Sequence, residues 1–178
     1  MIRSIRSLSG SVAAGLLATH LAATAFMAGV IWFVQIVHYP LMDGWPHADF
    51  SRWEAAHRER TAMVVIPAML LEGGAATLLL AVRPRGVPGW LVWAGWLALL
   101  GIWASTFAVQ VPLHDELSAG WHAPAHARLV STNWLRTLLW SIRTLLAVAM
   151  LPAAWRPAPG SGPTAGSTAT PAAETVLR

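Results

Sequence analysis

An all-α membrane bundle of four helices is the architecture this chain encodes, on three grounds. Its 178 residues are 56% hydrophobic and 11% charged, with a mean hydropathy of +0.53, and that charged fraction is less than half that of an ordinary soluble domain. Four apolar stretches, about 13–38, 62–82, 88–110 and 132–154, are each long enough at 1.5 Å per residue to cross roughly 30 Å of hydrocarbon. Few ionisable residues interrupt them, and Glu72 in the second stretch and Arg143 in the fourth lie at matched depth. A charge there costs about 2.5–3.5 kcal/mol, so a chain that keeps two has a use for them.

Taken in chain order, Arg3 and Arg6 precede an apolar run, Gly10 to Val37, that continues too far for a cleaved leader and reads as a retained first helix. His20 and His38 share one face of it with Thr24 and Gln35. They stand five turns, about 27 Å, apart, too far to ligate one metal. A loop is expected over 39–61. The second helix holds Pro67, which predicts a kink, then Glu72 followed by Gly73 and Gly74, where another helix can approach the backbone closely. A tight connection with Arg83 and Arg85 leads to the third helix, rich in tryptophan (Trp93, Trp96, Trp103), and a second loop is expected over 111–131. In the fourth helix Asn133, Arg136, Trp140 and Arg143 recur at spacings of 3, 4 and 3, a polar stripe on one face. Residues 1–155 thus form one transmembrane domain, and the Pro, Gly, Ser, Thr and Ala-rich stretch 156–178 is predicted to be disordered.

The chain has no lysine and no cysteine, so a thiolate metal site, disulfides and a Cys nucleophile are excluded. Arg3, Arg6, Arg83, Arg85, Arg156 and Arg178 fall on one side of a four-span topology, which the positive-inside rule makes cytoplasmic. The expected location is a bacterial inner (plasma) membrane with both termini cytoplasmic. A net charge of +4 comes from scattered arginines rather than a basic patch, so nucleic acid is not an expected partner. Neither a nucleotide-phosphate loop nor a nucleophile elbow is present.

The ends of the first and third helices repeat a pattern. Trp32, Phe33, Gln35, Pro40, Leu41 and Asp43 match Trp103, Phe107, Gln110, Pro112, Leu113 and Asp115, and an Arg-Thr pair opens each following helix (Arg60-Thr61, Arg136-Thr137). Two parallel helical hairpins related by duplication would produce this, as would proline ending two helices at an interface. Equal depth pairs Glu72 with Arg143 as a structural ion pair. Near the outer face Gln35, His38, Gln110 and Trp140 are candidate ligand-binding residues. His122 and His126 have an i, i+4 spacing suited to a metal, with Pro124 between them unless it occupies a first helical turn.

The stretch QVPLHDELSAG (Gln110 to Gly120), followed by STNWLRTLLW (Ser131 to Trp140), resembles a bacterial and fungal four-helix membrane family related to anthrone oxygenases. His114 departs from the asparagine common there. The resemblance implies a cofactor-independent oxidation of an aromatic substrate by molecular oxygen. In it Asp115 or His114 acts as the base and Asn133 and Arg136 stabilise an oxyanion. The expected function is therefore a polar cavity between helices near the outer face that binds a hydrophobic aromatic or quinone-like molecule and needs no metal or cofactor. A haem- or divalent-metal-binding electron-transfer subunit using the histidines, and a proton-coupled transport or accessory subunit using Glu72, remain as alternatives. Self-association or membership of a membrane complex fits any of the three.

Overall fold

A computed structural model describes residues 10–152, and among them every regular element is helical. The first rod runs through α1 (Gly10–Phe33), a π-helical turn (Val34–His38) and the single turn α2 (Tyr39–Leu41). The second is α3 (Phe50–Ala81). The third joins α4 (Gly89–Ser105), a π-helical turn (Thr106–Gln110) and α5 (Val111–Ser118). The fourth is α6 (Ala123–Met150). Ser11–Gly44, His47–Ala81 and Gly89–Ser118 are long and apolar enough to cross a membrane. α6 is 28 residues long but falls outside that group, because the expected stripe of Asn133, Arg136 and Arg143 lowers its hydropathy while facing inward.

Both expected loops are wrong in extent. Over 39–61 and 111–131 the chain is almost entirely helical, and short links at 45–46 and 119–122 join the rods. The reason is a second apolar core above the spans: Tyr39, Met42, Phe50, Leu113, Leu117, Ala125 and Leu129 form one buried cluster, so the helices continue as far as they have partners. Pro124 does not block α6, because it sits in the first turn, where its missing N–H would have no acceptor. The His122 carbonyl accepts the first N–H, from His126 at 3.1 Å. The tail over 156–178 and the arginines at both termini lie outside the described residues.

Each π turn ends two residues before a Pro-Leu pair, at Pro40 and at Pro112. A proline ring clashes with the carbonyl four residues back, and a π turn widens the helix there by one residue. The widening also keeps one face inward. Ile31, Gln35 and Tyr39 are all buried at successive spacings of four, which a regular helix of 3.6 residues per turn would rotate off the face. The third rod does the same between Ile102 and Gln110.

α6 packs on α1 and α4, while α3 packs on α1, α4 and α5. Polarity is inverted relative to a water-soluble bundle. Phe26, Phe33, Leu70, Leu97, Phe107 and Leu145 are exposed, whereas Gln35, Glu54, Glu72, Asn133, Arg136 and Arg143 are buried. The expected pairing of Glu72 with Arg143 is present. Arg143 Nε donates to Glu72 Oε1 at 3.0 Å, and Nη2 lies 2.9 Å from the same oxygen without the alignment of a hydrogen bond. Trp140 Nε1 donates to Oε2 at 3.0 Å, and Arg143 Nη1 donates to the Gly95 carbonyl. One carboxylate therefore ties α3 to α6, and through the arginine to α4. Beside it a Cβ on Gly73 would stand 3.0 Å from the Trp103 ring, the close helix approach that the glycine pair predicts. His20, which would sit at an interface in a shorter helix, is instead buried in the bundle.

Glu72→Leu alone leaves Arg143 buried without a counter-charge, and the expected loss is about 3–5 kcal/mol. The double variant Glu72→Leu with Arg143→Leu should recover most of it. Equilibrium unfolding of the purified protein in mild detergent measures both, and equal losses in the single and double variants would contradict the pairing.

Candidate functional site

The polar residues above the ion pair divide into two connected groups. The first is held by the first rod, α3, α5 and α6. Glu54, fully buried, places Oε1 2.6 Å from His114 Nδ1, so the imidazole donates there as a charge-assisted bond. That leaves His114 Nε2 to accept the Tyr39 hydroxyl at 3.0 Å. The Arg136 guanidinium lies near the Tyr39 oxygen and interacts with it electrostatically. Arg136 Nη1 donates to Asn133 Oδ1 at 3.2 Å, Asn133 Nδ2 to Gln35 Oε1 at 2.9 Å, and Gln35 Nε2 to the Val130 carbonyl at 3.2 Å. Arg136 further lies over the Trp140 ring, 5.3 Å from its centroid. Buried polar groups are costly unless paired, and every one of these side chains has a partner, although Glu54 Oε2 and Arg136 Nε are buried without one.

The second group borders the exterior. His38 Nε2 lies 2.8 Å from His57 Nδ1, the two rings stacked at 4.5 Å, and Thr61 Oγ1 reaches the same His57 nitrogen at 3.1 Å. The His57 ring is 5.2 Å from that of His114, which joins the groups. His38 and Thr61 line one end of an open groove of about 620 Å³ between α1 and α3. Phe26, Gly29 and Phe33 line one wall, Val64 and Val65 the other, and Arg60 stands at the polar end.

The structure redistributes the expected site residues. His114, Asn133, Arg136 and Gln35 do converge, in the first group, but they are bonded to one another rather than lining a cavity. Asp115 does not join them. Its side chain is 59% exposed and pairs with Arg58 at 2.7 Å, because one residue along a helix turns the side chain by about 100° from the inward direction that His114 takes. Trp140 is fully buried against Arg136 and Glu72, a core residue rather than a ligand wall. Gln110 donates to Thr132 Oγ1 at 2.9 Å, away from Gln35. Of the eight expected catalytic and ligand-binding residues, His38 is the one that lines the groove. His122 pairs with Glu116, while His126 Nε2 donates to the Tyr39 carbonyl at 2.7 Å, so the two do not face a common metal. Among the described residues no three His, Asp or Glu side chains are grouped to hold a metal ion.

Tyr39, Glu54, His57 and Thr61 were missed. Glu54, His57 and Thr61 carried a signal, since spacings of 3 and 4 put them on one helical face, but it is legible only once 50–61 is read as helix. Comparison with protein-family models, with curated proteins and with solved structures returns no match. What the fold and site define is an all-helical bundle with a hydrogen-bonded polar interior and an apolar side groove capped by histidines.

The two carboxylates at the contact of α3 with α5, Glu54 on α3 and Asp115 on α5, should separate cleanly on substitution. Glu54→Ala leaves His114 buried without its acceptor and should lower stability by about 1.5–3 kcal/mol. Asp115→Ala removes an exposed pair and should cost about 1 kcal/mol or less. Thermal unfolding of both variants in one detergent makes the comparison, and a larger loss at Asp115 would reverse the assignment.

Proposed function

We propose that this bundle lies in a bilayer and takes up a lipid-soluble aromatic or quinone-like molecule through the groove between α1 and α3. The observation that carries the reading is the groove's polarity gradient. Its walls are Phe, Val and Gly open to the exterior, and one end presents His38, Arg60 and Thr61. Ligand sites of a few hundred Å³ or more with mostly apolar walls and a few convergent polar groups orient a molecule by its polar head. A ring system entering from hydrocarbon would keep its apolar part against Phe26, Phe33 and Val64 and bring a carbonyl or hydroxyl to the histidine.

Membrane placement is supported by three rods long and apolar enough to span and by exposed leucine and phenylalanine around a polar interior. With Arg83 and Arg85 on the cytoplasmic connection, the groove's polar end lies toward the outer face. The matched π turns and Pro-Leu pairs support two parallel hairpins from one duplicated unit. Their structural register pairs His38 with Gln110, rather than Gln35 with Gln110, and each of those side chains bonds to the rod that follows.

The chemistry rests on the resemblance of Gln110 to Gly120 and Ser131 to Trp140 to the anthrone-oxygenase-related family. In that reading a substrate C–H loses a proton to the protein, molecular oxygen adds to the carbanion, and loss of water leaves a quinone, with no cofactor.

Gly29 faces open space, so Gly29→Trp fills the groove and leaves the core untouched. Mass spectrometry of molecules co-purifying in mild detergent should then show an aromatic or quinone-like lipophile on the parent protein, reduced about tenfold or more in the variant. An equal load on both would remove the groove from consideration.

A further inference from the structure

We infer that the groove between α1 and α3 selects a molecule whose head is an anion, a carboxylate above all, and that Arg60 is the residue that reads the charge. This deepens the groove reading above and rests on it. Arg60 is the one residue of the lining that carries a fixed charge, and no acidic residue lines the groove with it. The other polar groups there, His38 and Thr61, stand at the same end. An ionised head brought to that end meets a cation and no opposing carboxylate.

Arg60 has no counter-charge within the described residues. The ion pairs there engage Arg58, His114, His122 and Arg143, and no hydrogen bond from another described residue holds the Arg60 guanidinium. Its own helix supplies none either. A partner on α3 would have to lie three or four residues away, and those positions are Ala56, His57, Met63 and Val64. Glu59 is the adjacent residue, about 100° further round the helix and outside the groove lining, and Glu54 is buried and bonded to His114. Arg58 gives the contrast, since Asp115 and Ser118 bind it and it does not line the groove. Arg60 is exposed, with its donors open to water or to a ligand.

Head charge then decides what gains from entering. Drawing a guanidinium out of water against apolar walls is costly without a counter-charge, so a neutral head leaves Arg60 in solvent and gains little from it. A cationic head is repelled. A carboxylate matches the planar fork of the guanidinium with two parallel hydrogen bonds and cancels its charge. The apolar part of the molecule extends away from that end along α1, where the lining runs from Ala25 to His38, roughly 18 Å of helix. Such a length, with Phe26 and Phe33 along it, suits a polycyclic aromatic or quinone-like acid better than a compact single ring.

Matched anthracene probes that differ only in the head, and that accept excitation energy from tryptophan, measure the selection. One ends in propionate, one in propanol and one in propyltrimethylammonium. Each is titrated at about pH 8, where the carboxyl is ionised, into the full-length protein in a neutral maltoside detergent. The parent should bind the propionate about tenfold or more tighter than the alcohol, and the ammonium weakest. Arg60→Gln should close the gap between propionate and alcohol. Arg60→Lys keeps the charge without the fork and should retain part of it. Equal affinity for propionate and alcohol on the parent, or an undiminished gap in Arg60→Gln, overturns the inference. Gly29→Trp separates it from the groove reading. If that variant weakens propionate and alcohol alike while the parent shows no preference between them, the groove stands and the charge selection falls. If it weakens neither, the groove reading falls and takes the inference with it. Phosphatidylglycerol serves as a competitor, and displacement of the propionate at equal concentration would make a phospholipid phosphate the occupant and overturn the carboxylate assignment.

Discussion

A carboxylate without water around it must find all its partners in the protein, and Glu72 shows how far that requirement organises this bundle. Its two oxygens are taken by Arg143 and Trp140 of α6, and Arg143 spends a further donor on the Gly95 carbonyl of α4. Three helices are thereby held at one depth and in one rotation. Arg136 lies two turns above Arg143 on the same face, so fixing the lower residue fixes the upper one level with Tyr39 and Gln35. A slip of one residue in α6 would turn the whole stripe by about 100° toward the exterior and strand every partner. The upper network is in this sense a consequence of the lower pair.

The π turns solve a different geometric difficulty at the same level. The first and third rods must stay continuous through Pro40 and Pro112 and still present polar side chains inward above the apolar spans. One extra residue per rod does both. It relieves the proline ring, and it returns Gln35 and Tyr39, or Gln110, to the buried face. The two hairpins then diverge in chemistry at an equivalent position. One bonds His38 to a second histidine beside an open groove, whereas the other bonds Gln110 to Thr132 and packs it shut.

Much of the bundle was legible in the sequence, and what was missed shares one cause. The helical class, the polar stripe of α6, the Glu72 to Arg143 pair and the close approach at Gly73 all follow from spacing and burial cost, because hydrocarbon thickness and helical period constrain them directly. The hydropathy pattern is silent on helices that continue past the apolar span. There the residues between 39 and 61 alternate in polarity, and a loop was the natural reading. That single misreading hid the shared face of Glu54, His57 and Thr61 and left Tyr39, the chain's one tyrosine, without comment, while the role given to Asp115 came from the family resemblance alone. Depth along a helix was legible, but the direction of a side chain beyond the expected helix end was not.

The distribution of bonded groups bears on where the proposed ligand would sit. The family resemblance implies an oxyanion role for Arg136 and Asn133, yet Arg136 is bonded to Asn133 and lies over the Trp140 ring, and Asn133 is bonded to Gln35, so a ligand would have to displace bonds there. The histidine pair is different. It is half-buried, and His38 borders a groove of about 620 Å³. Binding there costs the protein no internal bond. The interior network then acts as a rigid backing that fixes the His57 and His114 rings from behind, so the positions of the groups at the groove are set before any molecule arrives.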